Sequence, residues 1–377
     1  MRTFSLMTLA ANKLLSKRLD SALQNSERCS LFLFVLLILL LLSACQPQTP
    51  SKEQMVFSGE IMGTQYRITV VSQHTVAQQK NTKQKIAQKK IGDLVLASMQ
   101  TVNQSMSNYI TESELSQFNR SAAGVPFEMS TDFLAVMQEA QRISVLSKGA
   151  FDVTLAQAIN AWGFGPEGEI TKQPSDEELL VLRATSDYRY LHLANSSITK
   201  TKEGVEVNLS AIAKGYAVDK VAKTLESQGI VDYLINIGGE IRASGKSIDG
   251  HVWRVGIEKP QILGGIQQVA LLDNKAIATS GDYRNYLVVD GQKFSHTIDP
   301  ITLKPVLHKL ALVSVIAPQA STADALATAM MAMGDDKAWA FAQKNNIAAY
   351  LIIRSGSTND NTPYSIRYTK EFERNLQ

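Results

Sequence analysis

The start of the chain constrains everything after it. Arg2, Lys13, Lys17, Arg18 and Arg28 precede an unbroken apolar run from Leu31 to Leu42. That run is shorter than the roughly 20 residues a helix needs to cross a bilayer core. A basic stretch followed by a short apolar one reads instead as an export signal. Leu42-Ser43-Ala44-Cys45 comes next and has a lipobox pattern, followed by the polar, proline-containing stretch Gln46-Pro47-Gln48-Thr49-Pro50. The expected organisation is a lipoprotein signal peptide over 1–44, lipid on Cys45, a tether over 45–55, a folded domain over 56–355 and a C-terminal tail over 356–377. A plain secretory signal with Cys45 incidental is the competing reading.

Cysteine and charge narrow the chemistry of the folded part. The chain has two Cys. Cys29 lies in the leader, so removing it leaves Cys45 alone, without an internal disulfide, a thiolate zinc site or a Cys nucleophile. The leader holds five Lys/Arg and two acids, which taken from the chain's 38 basic and 35 acidic residues leaves 33 of each. A neutral body excludes the basic footprint of a nucleic-acid binder.

Patterning predicts a mixed fold. Val56 to Val71 alternates as a strand pair or long strand interrupted at Gly63, and His74 to Lys90 reads as a polar insertion. Helices are expected over Ile91–Met106, Thr131–Leu146, Asp176–Arg183, Ala213–Gln228 and Ala338–Lys344. Another, capped by Ser321 or Thr322, is expected from Ala323 to Met333. Short strands are expected over Tyr233–Ile237, Val252–Ile257, Val269–Leu272, Ala276–Thr279, Tyr286–Val289, Leu312–Ile316 and Ala348–Ile353. The elements alternate irregularly rather than as βαβ units, so the fold class is α+β. Trp162, Trp253 and Trp339 read as core.

Familiar catalytic and nucleotide signatures are absent. Five residues separate Gly239 from Gly245, where a phosphate loop allows four. There is no G-x-G-x-x-G, no H-E-x-x-H and no G-x-S-x-G, and the five His are not at zinc spacings.

What remains is a series of segments in fixed order: Met62-Gly63-Thr64-Gln65-Tyr66 in the first strand; Met106-Ser107-Asn108-Tyr109, with Ser113-Glu114-Leu115-Ser116-Gln117-Phe118-Asn119 following; Gly149-Ala150-Phe151-Asp152-Val153-Thr154; Asn208-Leu209-Ser210-Ala211-Ile212-Ala213-Lys214-Gly215-Tyr216-Ala217-Val218-Asp219; Asn236-Ile237-Gly238-Gly239-Glu240; Ser280-Gly281-Asp282-Tyr283; Ser295-His296-Thr297-Ile298-Asp299-Pro300; and Ala323-Asp324-Ala325-Leu326-Ala327-Thr328. Together they resemble the ApbE family of FAD:protein FMN transferases, over roughly Phe57 to Ile353. The resemblance implies an ApbE-type, T-fold-like α+β domain. It also implies Mg²⁺, FAD as substrate, and transfer of FMN to a Thr or Ser hydroxyl with release of AMP. Implied partners are membrane-associated flavoproteins such as redox-complex subunits. The implied location is the periplasmic side of the cell inner membrane.

Several residues carry these expectations. Asp324 and Thr328 are four apart, so on a helix their oxygens share a face and suit a hard cation; from spacing alone Asp324 reads as readily as a first-turn acid complementing its helix dipole. The resemblance makes Asp324, Thr328 and the Ala211 carbonyl the metal ligands. It places Met62, Tyr109, Ala150, Phe151, Asp152, Asn208, Lys214, Gly238, Gly239 and Ile298 along FAD. Phe151 would supply an aromatic face and Asp152 a carboxylate. The family pattern has Asp where Asn208 stands. His296 is a candidate base for the incoming hydroxyl, or else a structural group holding the Asp299-Pro300 turn. Asp324 is the other candidate catalytic residue, as a carboxylate near the metal. Leu303 stands where the pattern has Gly, so that turn is expected to differ locally. Two rival activities share these features: an FAD pyrophosphatase, and a non-catalytic periplasmic flavin-binding lipoprotein.

Overall fold

The computed structural model describes residues 51–74, 82–260, 264–283, 286–289, 291–356 and 364–377. The signal peptide, Cys45, most of the tether and part of the polar insertion lie outside them. Two strands, β1 (Ser51–Ile61) and β2 (Thr64–His74), form a hairpin turned at Met62 and Gly63, both with positive φ. The Met62–Tyr66 segment read as lying in the first strand therefore divides between the hairpin turn at Met62-Gly63 and the start of β2. Next come α1 (Thr82–Met106), α2 (Glu114–Arg120), β3 (Phe127–Glu128), α3 (Thr131–Leu146), α4 (Ala156–Ala161), α5 (Asp176–Arg183), β4 (Leu191–Ala194), β5 (Ser197–Lys200) and α6 (Ala213–Ser227). A strand-rich stretch follows: β6 (Asp232–Ile237), β7 (Glu240–Ser244), β8 (Trp253–Glu258), β9 (Ile266–Leu272), β10 (Lys275–Gly281), β11 (Tyr286–Val289), β12 (Gln292–Ser295) and β13 (Leu310–Ala317). The chain ends with α7 (Ala320–Met333), α8 (Asp335–Lys344), β14 (Ala348–Arg354), β15 (Tyr364–Tyr368) and α9 (Lys370–Glu373).

The main sheet runs β1-β2-β6-β7-β10-β13-β14-β15, so spatial neighbours follow chain order. From β2 onward every neighbouring pair is antiparallel. The irregular alternation seen in the sequence comes from insertions into this meander. α1 to α6 enter between β2 and β6, the β8–β9 hairpin between β7 and β10, and α7–α8 between β13 and β14. Helices α6 and α7 pack on one face, against β6, β7, β10 and β13. The opposite face buries Trp253, Tyr350 and Phe372 in a second cluster. Covered on both sides, β13 is buried at every position and reads as one apolar run.

Three expectations need correction. Residues 364–377, taken as a tail, supply the edge strand β15 and α9, and Leu271 N–H donates to the Asn375 carbonyl. Strand β1 begins inside the stretch taken as tether. Helix α7 begins at Ala320 rather than Ala323, and neither Ser321 nor Thr322 caps it; the reason lies in the site itself.

Candidate active site

The site forms where α6 and α7 meet end to side. A Cβ on Gly215 would lie 2.4 Å from the Ala320 carbonyl oxygen, so only glycine lets the two backbones touch there. The first amides of a helix have no partner within it. On α6, Gly215 N–H donates to Asp324 Oδ2 at 3.1 Å. On α7, Ala320 N–H and Ser321 N–H donate to the two oxygens of Asp219 at 3.0 and 2.9 Å, and Ser321 Oγ adds a bond at 2.8 Å. Arg242 pairs with the same Asp219 at 2.9 Å. Asp324 does sit near a helix N-terminus, but the dipole it complements belongs to α6.

Three charges gather at this point. The β6–β7 turn has Gly238 at φ 65 and Gly239 at φ 106, and a Cβ on Gly238 would meet Thr64 at 2.9 Å and Lys214 Cδ at 3.3 Å. The turn thus brings the first hairpin and Lys214 together and sets Glu240 beside them. Glu240 is 4% exposed; its Oε1 accepts from Lys214 Nζ at 2.9 Å, and its buried Oε2 has no hydrogen-bond partner among the described residues. Burial pushes the Asp324 carboxyl up to about 7, and nearby Glu240 adds to the rise, while Lys214 and the Gly215 amide oppose it. Burial works against the Lys214 ammonium, yet Asp324 and Glu240 together raise its pKa above the usual range. Lys214 is therefore charged at neutral pH, with Glu240 bonded to its ammonium and Asp324 close by.

The donor set fits a small divalent cation. Asp324 Oδ1 has no hydrogen-bond donor among the described residues, and Glu240 Oε2 is an orphaned acceptor a few atoms from the same lysine. Thr328 lies one turn beyond Asp324 on α7 and is half-buried, as is Ala211 ahead of α6. Asn208 shapes that turn, its Oδ1 accepting from Ser210 N–H at 2.9 Å and its own N–H donating to the Val153 carbonyl at 2.8 Å. The amide performs this turn-forming role without the charge of the family's Asp. No three His, Cys, Asp or Glu side chains converge as a metal cage among the described residues.

A sequence profile described as ApbE family matches residues 62–351. A Vibrio cholerae protein named FAD:protein FMN transferase is 41% identical over 86% of this chain and 94% of its own length. A Haemophilus influenzae protein of the same name is 40% identical over 83% and 90%. Among solved structures, the flavin transferase ApbE from Vibrio cholerae is similar with a TM-score of 0.76 at 38% identity, over 86% of this chain and 100% of that one. The apo Pseudomonas stutzeri flavinyl transferase ApbE also reaches 0.76, at 32% identity over 86% and 97%. The chain belongs to the ApbE family.

The ApbE match spans every candidate site residue except Cys45, but the structure treats them unequally. Met62, in the hairpin turn, is half-buried, while Tyr109 is 68% exposed with its ring accessible. Phe151 is buried in the main core, so the expected aromatic face is not presented; Gly149, Ala150 and Asp152 beside it are half-buried. The Asp152 carboxylate accepts from Thr154 N–H and Oγ and from Tyr188 N–H, and so builds its own loop. Burial raises its pKa against those bonds.

A satellite cluster of Leu155, Trp162, Phe294, Ile298 and Leu303 carries the other predicted contacts. Ile298 is buried there and bridges Pro305; His296 is half-buried, edge-on to Phe164 with centroids 6.4 Å apart. Asp299 braces the Asp-Pro turn, its carboxylate accepting from Ile301 N–H and Thr302 Oγ. Leu303 keeps φ at 56 despite its Cβ, and Trp162 Nε1 donates to its carbonyl at 2.7 Å. At 1% exposure, its burial offsets the left-handed backbone. A cavity of about 690 Å³ with Lys148, Lys304, Lys337 and Lys344 on its walls opens between Ala150, the Asp299-Pro300 turn and α8. Of the predicted FAD contacts only Ala150 lines it. Gly215, Asp219 and Glu240 stand in the segments that carry the family resemblance, but sequence reasoning gave them no role, and it passed over Arg242. The signal available was Asp219, an acid inside the apolar stretch Ala217, Val218, Val221 and Ala222 of α6.

Proposed function

We propose that this chain is a FAD:protein FMN transferase that uses Mg²⁺ and works from a lipid anchor at Cys45 on the periplasmic side of the inner membrane. The observation that carries the reading is the cluster of half-buried Lys214 with buried Glu240 and Asp324 at the N-terminus of α6. Lys214, at that helix end, favours a phosphate. Gly239, with no Cβ, admits a diphosphate against the backbone. Asp324, Thr328 and the Ala211 carbonyl would hold the cation, which when bound supplies charge neutralisation at the diphosphate and eases departure of AMP.

In the transfer, the hydroxyl oxygen of the acceptor Thr or Ser forms a bond to the flavin-side phosphorus. The bond from that phosphorus to the bridging oxygen breaks, and the bridging oxygen leaves with AMP. His296 takes the hydroxyl proton, its ring oriented by Phe164. Met62 and Tyr109 offer one soft and one flat apolar surface for the flavin. The neutral exported body and its tether suit membrane-bound flavoprotein acceptors, such as redox-complex subunits, rather than nucleic acid. Among the described residues no helix is long and apolar enough to cross a membrane.

The test is to incubate the purified protein with FAD, Mg²⁺ and a candidate acceptor, then weigh the acceptor intact. A mass gain equal to one FMN phosphoryl group is expected. Free AMP and FMN without an adduct would make the protein a pyrophosphatase, and no turnover would make it a flavin binder.

A further inference from the structure

Helices α6 and α7 exchange caps in a reciprocal pattern. Each offers an N-terminal amide at one position and a carboxylate four residues later, on the same face. Gly215 and Asp219 do this on α6, Ala320 and Asp324 on α7. Asp324 receives the Gly215 amide, and Asp219 receives the Ala320 amide. The exchange is chemically unequal, however. Both oxygens of Asp219 are occupied, by two amides, one hydroxyl and the Arg242 guanidinium. Asp324 keeps one oxygen with no donor among the described residues.

We propose that Asp219 is a positioning residue for the transferase site. It fixes the axial register of α7, and so aims Asp324 at the place where the cation binds. Helix α7 has no cap of its own, since the side chain of its N-cap residue Gln319 makes no capping bond. Its start is defined from outside, by a carboxylate on the neighbouring helix. A helix advances about 1.5 Å and turns about 100° per residue. A register error of one residue would therefore swing Asp324 away from Gly215 and Lys214 altogether. Thr328, one turn further along, would move with it. Arg242, on β7 two residues after Glu240, holds the other side of Asp219 and ties the register of α7 to the Gly238-Gly239 turn. Among the described residues the Asp219 carboxylate bonds Ala320, Ser321 and Arg242 and neither the proposed cation ligands nor Lys214, so its influence is exerted through α7.

This inference rests on the reading that Asp324 ligates the cation, and the experiment separates the two. Mn²⁺ binding to the FAD-free exported protein is followed by electron paramagnetic resonance for wild type, Asp324→Asn, Asp219→Asn and Ser321→Ala. Circular dichroism confirms that each is folded. Asp324→Asn should lose binding. Asp219→Asn should weaken it by about 10- to 100-fold, the range for groups that orient metal ligands. Ser321→Ala removes only one donor to Asp219; it should weaken binding severalfold and decides the matter if Asp219→Asn does not fold. A merely structural Asp219 would lower the unfolding temperature and leave Mn²⁺ affinity unchanged. Wild-type affinity in folded Asp219→Asn, or in Ser321→Ala if that variant decides, alongside loss in Asp324→Asn, overturns the positioning role. Wild-type affinity in Asp324→Asn overturns the cation reading and the positioning role with it.

Discussion

Replacing Asp324 by Asn should stabilise the metal-free protein while removing its activity. The reason is the mismatch between the surroundings of the carboxylate and its charge. Its pKa rises from 3.8 to about 7, chiefly through burial and then through Glu240. The folded state therefore holds a proton that the unfolded state has released. Asp324 contributes no penalty below about pH 4, and the penalty grows as pH rises toward about 7 and then levels off. A tenfold change in proton affinity is about 1.4 kcal/mol, which bounds the full penalty at about 4 kcal/mol. Asn keeps an acceptor for Gly215 N–H but places a new amide donor in the pocket, so a net gain of about 1–2 kcal/mol is expected at pH 8. For a chain of this size that is roughly 1–3 °C in unfolding temperature. The assay is thermal unfolding of EDTA-treated wild type and variant at pH 5 and pH 8, repeated with Mg²⁺. The variant's advantage should widen from pH 5 to pH 8, and Mg²⁺ should raise the unfolding temperature of the wild type alone. A variant less stable at both pH values, or an advantage that shrinks with rising pH, refutes the reasoning.

Other substitutions probe neighbouring parts of the account. Gly215→Ala places a Cβ against the Ala320 backbone, which cannot yield as a side chain can. It should destabilise by about 1–3 kcal/mol in denaturant unfolding and weaken Mn²⁺ binding with it. His296→Asn should slow FMN transfer by about 10²–10⁴-fold while FAD affinity, measured by flavin fluorescence, stays near wild type; an unchanged rate removes His296 from the reaction. Leu303→Gly relieves the positive φ but empties a buried position beside Trp162. The cavity term outweighs the strain, and a net loss of about 1–3 kcal/mol is expected in chemical unfolding.

The sequence disclosed whatever was settled locally. Helices α3 and α5 were legible to the residue because Ser130 and Ser175 cap them from the adjoining position, Ser175 with a full capping box to Glu178. Strand β13 was visible as an apolar run because both its faces are covered. The start of α7 was misplaced because its cap, Asp219, is about a hundred residues away in the chain, and no local pattern marks such a partner. The polar segment before β15 concealed an edge strand, whose side chains are mostly exposed and carry little alternation. Within the site, Asp324, Thr328 and Lys214 stood out through the family's motifs. The role of Glu240 did not, because it depends on a turn at Gly238-Gly239 folding a strand end back beside α6. Phe151 and Asp152 show the reverse case. The resemblance places them along FAD, and in the fold the ring is part of the core and the carboxylate forms a loop.

A crystal soaked with FAD and Mn²⁺, and measured for anomalous scattering, addresses the central claim directly. A peak within about 2.5 Å of an Asp324 oxygen, the Thr328 hydroxyl and the Ala211 carbonyl, touching the diphosphate, is the predicted result. A peak elsewhere, with Asp324 still bonded only to the Gly215 amide, would contradict it.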